Sequence, residues 1–266
     1  MADKKLALIT GASSGIGADL AREHARRGGD LILVARRAEK LEALKAALEA
    51  DHGVTVHVMA RDLAVANAGE DLHAAVREAG LEVDYLINNA GFGGHGAFHE
   101  RPWTEDKAMV QLNIETLTAL TRAFLPGMVE RGRGRVLNVA STAAFLPGPL
   151  MAVYYATKAY VLSLSEALAS ELRGTGVTVT ALCPGVTRTE FGARANVGDS
   201  KLFRGPWVAG SAAVAAFGYR AMLAGRVVAV HGFWNKVAAH VALPLLPKPV
   251  VRRVSLLLTE KVKKRS

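Results

Sequence analysis

Seven short apolar runs rich in β-branched residues recur along the chain, and they restrict its fold more than any other feature. Segments with helical spacing separate them, for example the one that carries Leu41, Leu44 and Leu48. Strands that are apolar on both faces and alternate with helices indicate a parallel sheet covered on two sides. Right-handed crossovers then predict a doubly wound α/β fold. The runs are KLALIT, DLILVA, VTVHVMA, VDYLINN, GRVLNVAS, GVTVTALC and GRVVAVHG.

The length of 266 residues suits a single domain of this class. We expect one Rossmann-type domain over residues 1–232, with about seven parallel strands and helices on both faces. The polar, irregular stretch near residues 190–206 is typical of a loop that covers a substrate site. Residues 233–266 are predicted to form an amphipathic, basic C-terminal extension.

The net charge of +9 does not by itself indicate a nucleic-acid-binding protein. Many of the charges lie on helical faces of mixed sign, such as RRAEKLEALKAALE, which are typical of solvated surface. No aromatic residues alternate with basic ones in a way that would stack on bases. We therefore expect no nucleic-acid partner.

The cysteine content and the apolar runs restrict the cellular location. Cys183 is the single cysteine, which excludes an intrachain disulfide and a cysteine-cluster metal site, and we expect no metal. No secretory signal is visible in MADKKLALIT, and the longest apolar run, residues 237–246, is too short to span a bilayer. These features predict a cytoplasmic protein.

The stretch TGASSGIG after the first strand permits two interpretations. GASSG matches the elbow that presents a nucleophilic serine in hydrolases, which would be Ser13. The whole stretch also matches a glycine-rich turn that binds a dinucleotide pyrophosphate at the start of a helix. The elbow leaves Gly17 unexplained, whereas the turn uses three glycines. The predicted cofactor-binding residues of this turn are Gly11, Ser13, Ser14, Gly15, Ile16 and Gly17.

The end of the second strand distinguishes between the two nicotinamide cofactors. In a dinucleotide-binding fold this position lies over the adenosine ribose. Arg36 and Arg37 stand here, and guanidinium groups suit a 2′-phosphate through charge-assisted hydrogen bonds. The pair therefore predicts NADP(H), although two solvated charges at the start of a helix would give the same pattern.

Polar residues also follow the later strands. They are found in NNAG, at Ser141 in NVAST and in PGVTRTEF, while Tyr154 and Lys158 in YYATK begin a long helix. Residues four apart share a helical face, so the phenol and the amine can point into one pocket.

Taken together, these motifs resemble the short-chain dehydrogenase/reductase family over roughly residues 5–191. The matching pieces, all in family order, are TGASSGIG, Asp62-Leu63, NNAG, Asn113 in QLNIETL, Ser141, YYATK and PGVTRT. The resemblance implies the catalytic residues Asn113, Ser141, Tyr154 and Lys158. Tyr154 would be the general acid or base, Ser141 would bind the substrate oxygen, and Asn113 would hold a water in a proton relay.

The same resemblance implies further cofactor contacts. Lys158 would hold the nicotinamide ribose and lower the pKa of the Tyr154 phenol. Asp62 would face the adenine and Thr189 the carboxamide side of the nicotinamide, although Thr189 also suits a helix cap before Glu190. Thr187 departs from the family, in which an aliphatic residue often stands here. The other implied cofactor-binding residues are Leu63, Asn89, Ala90, Gly91, Tyr154, Pro184 and Gly185.

The C-terminal extension is predicted to contain an amphipathic helix. We expect it to pack on its own domain or to join subunits of a homo-oligomer, with an anionic membrane as the alternative partner. Its apolar face would comprise Val250, Val251, Val254, Leu257, Leu258 and Val262, with basic residues elsewhere.

These observations predict an NADPH-dependent oxidoreductase that interconverts a ketone or aldehyde and an alcohol. The apolar stretches GFGGHGAFHERPW and FLPGPLM favour a lipophilic small-molecule substrate. Three alternatives stay open at this point: a 3-oxoacyl thioester reductase of the same fold, a serine hydrolase that uses Ser13, and a non-catalytic cofactor-binding regulator.

Overall fold

The computed structural model describes residues 4–197 and 208–260, and nine strands lie within these ranges. Seven of them form one sheet, and two short strands pair separately. The strands are β1 (Leu6–Thr10), β2 (Asp30–Ala35), β3 (Val56–Ala60), β4 (Tyr85–Asn88), β5 (Gly134–Val139), β6 (Val177–Cys183), β7 (Thr187–Arg188), β8 (Ala209–Gly210) and β9 (Val228–Val230).

The main sheet has the strand order β3-β2-β1-β4-β5-β6-β9, and every pair in it is parallel. The chain builds outwards from β1 to β3 and then returns to the other side of β1 to form β4. This arrangement confirms the predicted doubly wound fold with seven strands. The β7–β8 pair was not predicted, because two residues per strand are too short to produce a periodic pattern.

Helices cover both faces of the sheet. A π-helical turn, Gln111–Thr116, joins α4 to α5, and a second one, Ala238–Ala242, joins α9 to α10. The helices are α1 (Gly15–Ala25), α2 (Ala38–His52), α3 (Ala68–Glu78), α4 (Trp103–Val110), α5 (Leu117–Glu130), α6 (Ala152–Glu171), α7 (Phe191–Arg194), α8 (Ser211–Leu223), α9 (Phe233–Val237), α10 (Leu243–Leu245) and α11 (Lys248–Thr259).

Alternate residues of the strands supply two apolar cores. Ala7 and Ile9 of β1 pack with residues of α1, α2 and α8, such as Leu20 and Tyr219. Leu8 lies in the opposite core, which contains residues of α3 and α5. This alternation follows from the two-residue repeat of a strand and explains why the strand sequences are almost continuously apolar.

The crevice of the fold begins where β1 and β4 separate, at the point where the strand order reverses. Asn89 joins the two strand ends, since its side-chain amide donates to the backbone oxygens of Thr10 (2.9 Å) and Gly11 (3.3 Å). The backbone N–H groups of Asn89 and Ala90 each donate to Thr10 Oγ1 at 3.0 Å. We call this set of contacts the β1–β4 junction.

The glycines after β1 make the close approach at this junction possible. Gly11 has a left-handed φ of +67°, and a Cβ atom there would lie 2.8 Å from Asn89 Nδ2. A Cβ atom on Gly17 would overlap with Gly11 O and Asn89 Nδ2. The turn must therefore lack side chains at both positions for α1 to start directly beneath the crevice.

The described part of the C-terminal extension packs against the domain, which is the first of the three expected arrangements. Ala239 is buried among residues of the α5, α6 and β9 region, and His95 Nε2 contacts Thr259 O at 2.9 Å. The face of α11 that is buried differs from the predicted apolar face: it consists of Val251, Ser255 and Thr259. The buried Thr259 hydroxyl is satisfied by donating to Ser255 O, at 3.0 Å, within its own helix.

Two predictions extend beyond the described residues. Residues 198–206 of the predicted substrate loop lie outside them, as does Val262 of the C-terminal helix. The described part of the loop contains the short helix α7. The predicted division of the chain at residue 232 stays a prediction.

Substitution of Gly17 by alanine tests the close approach. Alanine has the higher helix propensity, which alone would stabilise α1. We expect the overlap with Gly11 O to outweigh this gain and to lower the free energy of unfolding by roughly 1–3 kcal/mol. Thermal denaturation measures the effect. Gly210→Ala is the matched control, because no atom lies within 4 Å of its added Cβ. Equal melting temperatures for wild type and Gly17→Ala would contradict the account.

Candidate active site

One cavity of about 830 Å³ lies above the carboxyl ends of the strands, next to the β1–β4 junction. The glycine turn, the NNAG loop, the PG segment and the start of α6 all contribute to its wall. Two predicted site residues, Gly17 and Asn113, are not part of the wall. The predicted residues that line it are Gly11, Ser13, Ser14, Gly15, Ile16, Arg36, Arg37, Asp62, Leu63, Asn89, Ala90, Gly91, Ser141, Tyr154, Lys158, Pro184, Gly185, Thr187 and Thr189.

One end of the cavity carries hydrogen-bond donors. The first turn of α1 has no side-chain cap at Ser14, so its backbone N–H groups and the positive end of the helix dipole face this end. Arg37 Nη2 donates to Ser13 Oγ (3.1 Å) and Ser14 Oγ (2.9 Å). Arg36 points to Asp62 instead of to these two serines, with its Nη1 3.9 Å from Asp62 Oδ2. This end can bind an anion with several oxygens.

Two residues that the sequence interpretation missed complete this charged end. The carboxylate of Glu190 contacts Arg37 Nη1 at 2.8 Å and Lys40 Nζ at 3.0 Å, and it accepts a hydrogen bond from Ser14 Oγ at 3.1 Å. The hydrogen bonds from Arg37 and Lys40 hold the pKa of Glu190 at about 2. Lys40 lies one helical turn after Arg36, a spacing that could have indicated a third cation.

The contacts of Ser13 bear on the hydrolase alternative. A serine nucleophile donates its proton to a neighbouring base, usually a histidine. The Ser13 hydroxyl instead accepts hydrogen bonds from Nε and Nη2 of Arg37, at 3.3 and 3.1 Å. A guanidinium group cannot act as the base. The geometry therefore favours the dinucleotide interpretation of TGASSGIG.

The other end of the cavity brings together Ser141, Tyr154 and Lys158. Tyr154 and Lys158 lie in the first two turns of α6, and both are buried. Lys158 Nζ donates to Val139 O at 2.8 Å and lies 5.9 Å from the centre of the Tyr154 ring. Ser141 follows β5; its side chain hydrogen-bonds to Tyr154 and accepts from the backbone N–H of Ala143 at 3.1 Å. One hydroxyl, one phenol and one amine thus share a pocket.

Burial controls the proton affinity of these groups. It raises the pKa of Tyr154, while the hydrogen bond with Ser141 lowers it. Burial also lowers the pKa of Lys158 to about 8. The expectation that Lys158 lowers the pKa of the Tyr154 phenol depends on the attraction between an ammonium and a phenolate. The structure adds desolvation, which disfavours both charged forms and outweighs that attraction for Tyr154.

Asn113 does not line the cavity but holds two segments that do. It lies in the π-helical turn between α4 and α5 and is buried. Both protons of its amide are used, since Nδ2 donates to Phe92 O at 2.9 Å and to Thr157 Oγ1 at 3.1 Å. Its Oδ1 accepts from the backbone N–H of Phe92 at 3.2 Å. Asn113 therefore fixes the loop after β4 to α6, the helix that carries Tyr154.

The PG segment closes the crevice opposite the glycine turn. A Cβ atom on Gly15 would lie 2.9 Å from Thr189 Cγ2, so the two segments are in direct contact. Thr189 Oγ1 accepts from the backbone N–H of Phe191 at 3.2 Å, which agrees with its alternative interpretation as a helix cap. Thr187 Oγ1 donates to Gly185 O at 2.9 Å and so stabilises the turn.

The C-terminal extension forms the remaining wall, which sequence reasoning did not assign to the site. Leu243 of α10 and Val254, Ser255 and Leu258 of α11 line the cavity. Ser255 lines the same cavity as Tyr154 and Tyr155. The amphipathic pattern predicted packing, but it did not indicate that the helix would line the cavity.

Comparisons with known proteins agree with this geometry. The family model for short chain dehydrogenases matches residues 5–199. The chain is 38% identical over 198 residues to the NADP-dependent 3-hydroxy acid dehydrogenase YdfG of Salmonella typhi, covering 74% of this chain and 78% of the relative.

Solved structures show the same similarity. A short-chain dehydrogenase from Sphingobium yanoikuyae in complex with NADPH has a TM-score of 0.80 at 35% identity, over 90% of each chain. The bulky-bulky ketone specific alcohol dehydrogenase from Comamonas testosteroni has a TM-score of 0.76 at 31% identity, over 92% of this chain and 95% of that chain. By sequence and by structure, the chain belongs to the short-chain dehydrogenase family of oxidoreductases.

Proposed function

We propose that the protein is an NADPH-dependent reductase that converts a ketone or aldehyde to an alcohol, and that it also catalyses the reverse reaction. The observation that carries this proposal is that Ser141, Tyr154 and Lys158 line the same cavity as the glycine turn and Arg37. When bound, the reduced nicotinamide supplies the hydride to the carbonyl carbon. Tyr154 supplies the proton to the carbonyl oxygen.

The cavity wall fits NADP(H) along its whole length. The open first turn of α1 would hold the pyrophosphate, and Arg37 with Lys40 would hold the 2′-phosphate. Arg36 also lines the cavity and stays a proposed contact of this phosphate. Asp62 and Leu63 would border the adenine, and Lys158 would bind the nicotinamide ribose. The names of the relatives from Salmonella typhi and Sphingobium yanoikuyae, one NADP-dependent and one solved with NADPH, support the same cofactor. The remaining proposed contacts are Asn89, Ala90, Gly91, Pro184, Gly185, Thr187 and Thr189.

Glu190 competes with the 2′-phosphate in this proposal. Its carboxylate accepts the hydrogen bonds from Arg37, Lys40 and Ser14 that the phosphate would need. Binding of NADPH must therefore displace Glu190, whereas NADH has no phosphate to do so. Since Glu190 directly precedes α7, its displacement releases this helix from the end of β2.

Two substitutions at this charged end should have opposite effects. Arg37→Gln removes charged hydrogen bonds worth roughly 1.5–3 kcal/mol, so we expect NADPH to bind about ten- to a hundredfold more weakly and NADH almost unchanged. Glu190→Gln removes the competitor, and NADPH should bind more tightly. Fluorescence titration with both cofactors measures the affinities.

Glu39→Gln is the matched control for Glu190→Gln. Glu39 is an exposed acid in the first turn of α2, close in sequence to the same cations. Its loss should leave the NADPH affinity nearly unchanged. If Arg37→Gln weakens NADPH and NADH equally, the 2′-phosphate assignment is wrong.

The proton chemistry depends on the buried phenol. Because burial raises its pKa, Tyr154 stays protonated over a wide pH range and is ready to donate. Ser141, already hydrogen-bonded to Tyr154, can bind the same substrate oxygen and stabilise the developing alkoxide. Protonated Lys158 and the positive charge of the oxidised nicotinamide would favour the phenolate that alcohol oxidation requires.

Tyr154→Phe tests the role of the phenol. We expect turnover to fall by roughly 10²- to 10⁴-fold, since a general acid contributes about that much. NADPH affinity should persist. Tyr160→Phe, on the exposed side of the same helix, should retain activity.

A ketone assay with both variants and with Ser13→Ala separates the alternatives. Loss of activity in Ser13→Ala alone would support the hydrolase. Tight NADPH binding by the wild type without any turnover would support a non-catalytic regulator.

The buried amine gives a pH dependence with a defined sign. The pKa of Lys158 is about 8 in the folded protein and about 10.4 in an unfolded chain, so between these values the unfolded state binds more protons. The stability of the wild type relative to Lys158→Met should therefore rise as the pH increases from 8 to 10, by about 1.4 kcal/mol per unit at most. Urea denaturation of both proteins at several pH values measures this. If the difference in unfolding free energy between the two proteins stays constant or falls over this pH range, the lowered pKa of Lys158 is refuted.

The cavity beside Tyr154 suits a lipophilic substrate. Its walls there include Leu146, Met151, Val197, Val254 and Leu258. We propose a bulky apolar ketone, in line with the name of the structural neighbour from Comamonas testosteroni. A 3-oxoacyl thioester would place the same demands on Tyr154, and the substrate panel should contain one. The homo-oligomeric state and the cytoplasmic location stay predictions.

A further inference from the structure

The C-terminal segment 233–260 leaves its largest apolar side chains in contact with solvent. Phe233 is 71% exposed and Trp234 is 78% exposed. Leu245 of α10 is exposed to a similar extent, and Val241 and Leu246 are exposed as well. Exposed apolar side chains of this size, when they form a patch, usually mark a surface that contacts another molecule.

Helix α11 also exposes apolar side chains while it buries polar ones. It buries Ser255 and Thr259, which carry hydroxyl groups, and leaves Val250 and Leu257 exposed. Val250 and Leu257 are seven residues apart and therefore share one face of the helix. A helix at the surface of a soluble domain normally turns its apolar stripe towards the core. Val250 and Leu257 are 43% and 48% exposed, so residues 4–197 and 208–260 leave about half of this apolar face uncovered.

Positive charge is concentrated in the same part of the chain. Residues 233–266 contain eight Lys or Arg residues and one Glu, so they supply seven of the nine net positive charges. Within the part of the chain that the structure describes, Lys248, Arg252 and Arg253 are exposed and form no ion pair. Two such segments facing each other would repel, which disfavours a second copy of this chain as the partner.

We propose that this C-terminal surface, formed by Phe233, Trp234, Leu245, Val250 and Leu257 with Lys248, Arg252 and Arg253, docks on an anionic lipid bilayer. Trp and Phe are typical of the apolar face of segments that bind at a membrane interface, and each basic residue gains from the negative surface potential. The segment would lie in the plane of the interface. Among the described residues, no helix has the length and apolar character needed to cross a bilayer.

The docked surface would lie beside the mouth of the cavity. Leu243, Val254 and Leu258 belong to the same helices, and they line the cavity wall. If the substrate is lipophilic, which rests on the proposed function, it can enter from the lipid phase without crossing water. The docking itself does not depend on that substrate.

Vesicle co-flotation of the full chain tests the proposal. We expect binding to vesicles of phosphatidylcholine with phosphatidylglycerol, and much weaker binding to vesicles of phosphatidylcholine alone. Raising the salt concentration should weaken the binding, because exposed charges are screened. Absence of binding to the anionic vesicles, or equal binding to both kinds, would overturn the proposal.

Two matched pairs of variants locate the binding surface. Phe233→Ser with Trp234→Ser should weaken binding at least tenfold, whereas Phe98→Ser with Trp103→Ser should not, although Phe98 and Trp103 are 66% and 68% exposed. Arg252→Gln with Arg253→Gln should weaken binding roughly tenfold or more. Its control, Arg173→Gln with Arg226→Gln, removes equal charge near the amino ends of β6 and β9, whereas the C-terminal segment follows the carboxyl end of β9.

Two further measurements control for misfolding of the variants and for self-association. NADPH affinity and the melting temperature should be unchanged in the four variants, which shows that they fold. Light scattering determines the oligomeric state of each variant in solution. The surface binds a second copy, and the proposal fails, if two results are obtained together. The wild type does not bind to anionic vesicles, and Phe233→Ser with Trp234→Ser converts an oligomer to a monomer.

Discussion

The hydroxyl of Thr10, at the end of β1, organises the crevice on which the rest of the site depends. It accepts the backbone N–H groups of Asn89 and Ala90, and the Asn89 amide reaches back to the oxygens of Thr10 and Gly11. These bonds fix the ends of β1 and β4 at the point where the strand order reverses. No side chain fits at Gly11, because a Cβ atom there would overlap with Asn89 and Ala90, so glycine allows the turn to approach the loop after β4 closely.

From this junction the cavity extends towards two chemically different ends. At one end, Arg37, Lys40 and the N–H groups of the α1 helix can bind an anion, and the Glu190 carboxylate neutralises part of the positive charge. At the other end, desolvation keeps the Tyr154 phenol protonated and makes the Lys158 amine easier to deprotonate. Asn113 and Thr157 tie the loop after β4 to α6, so both ends are positioned by the same strand. This separation of charge binding from proton transfer is what a dinucleotide-dependent oxidoreductase requires.

The parts that were predictable from the sequence are those specified locally. The apolar runs gave the seven strands, and the glycine spacing in TGASSGIG gave the turn after β1. The i, i+4 spacing placed Tyr154 and Lys158 on one face. Contacts between distant segments were not predictable: Glu190 meets Arg37 across 153 residues. The buried face of α11 was predicted only in part: Val251 belongs to the predicted face, whereas Ser255 and Thr259 do not. Contacts with distant segments, such as that of His95 Nε2 with Thr259 O, are not visible in the amphipathic pattern.

A crystal structure of the full chain with NADP⁺ tests the central claim most directly, namely that one crevice holds the whole cofactor and presents its nicotinamide to the buried phenol. The account predicts the 2′-phosphate on Arg37 and Lys40 in place of the Glu190 carboxylate. It also predicts the nicotinamide ribose within hydrogen-bonding distance of Lys158, with the Tyr154 hydroxyl open towards the nicotinamide ring. A nicotinamide bound away from Tyr154, or a phosphate that leaves the Glu190 contacts intact, would contradict it.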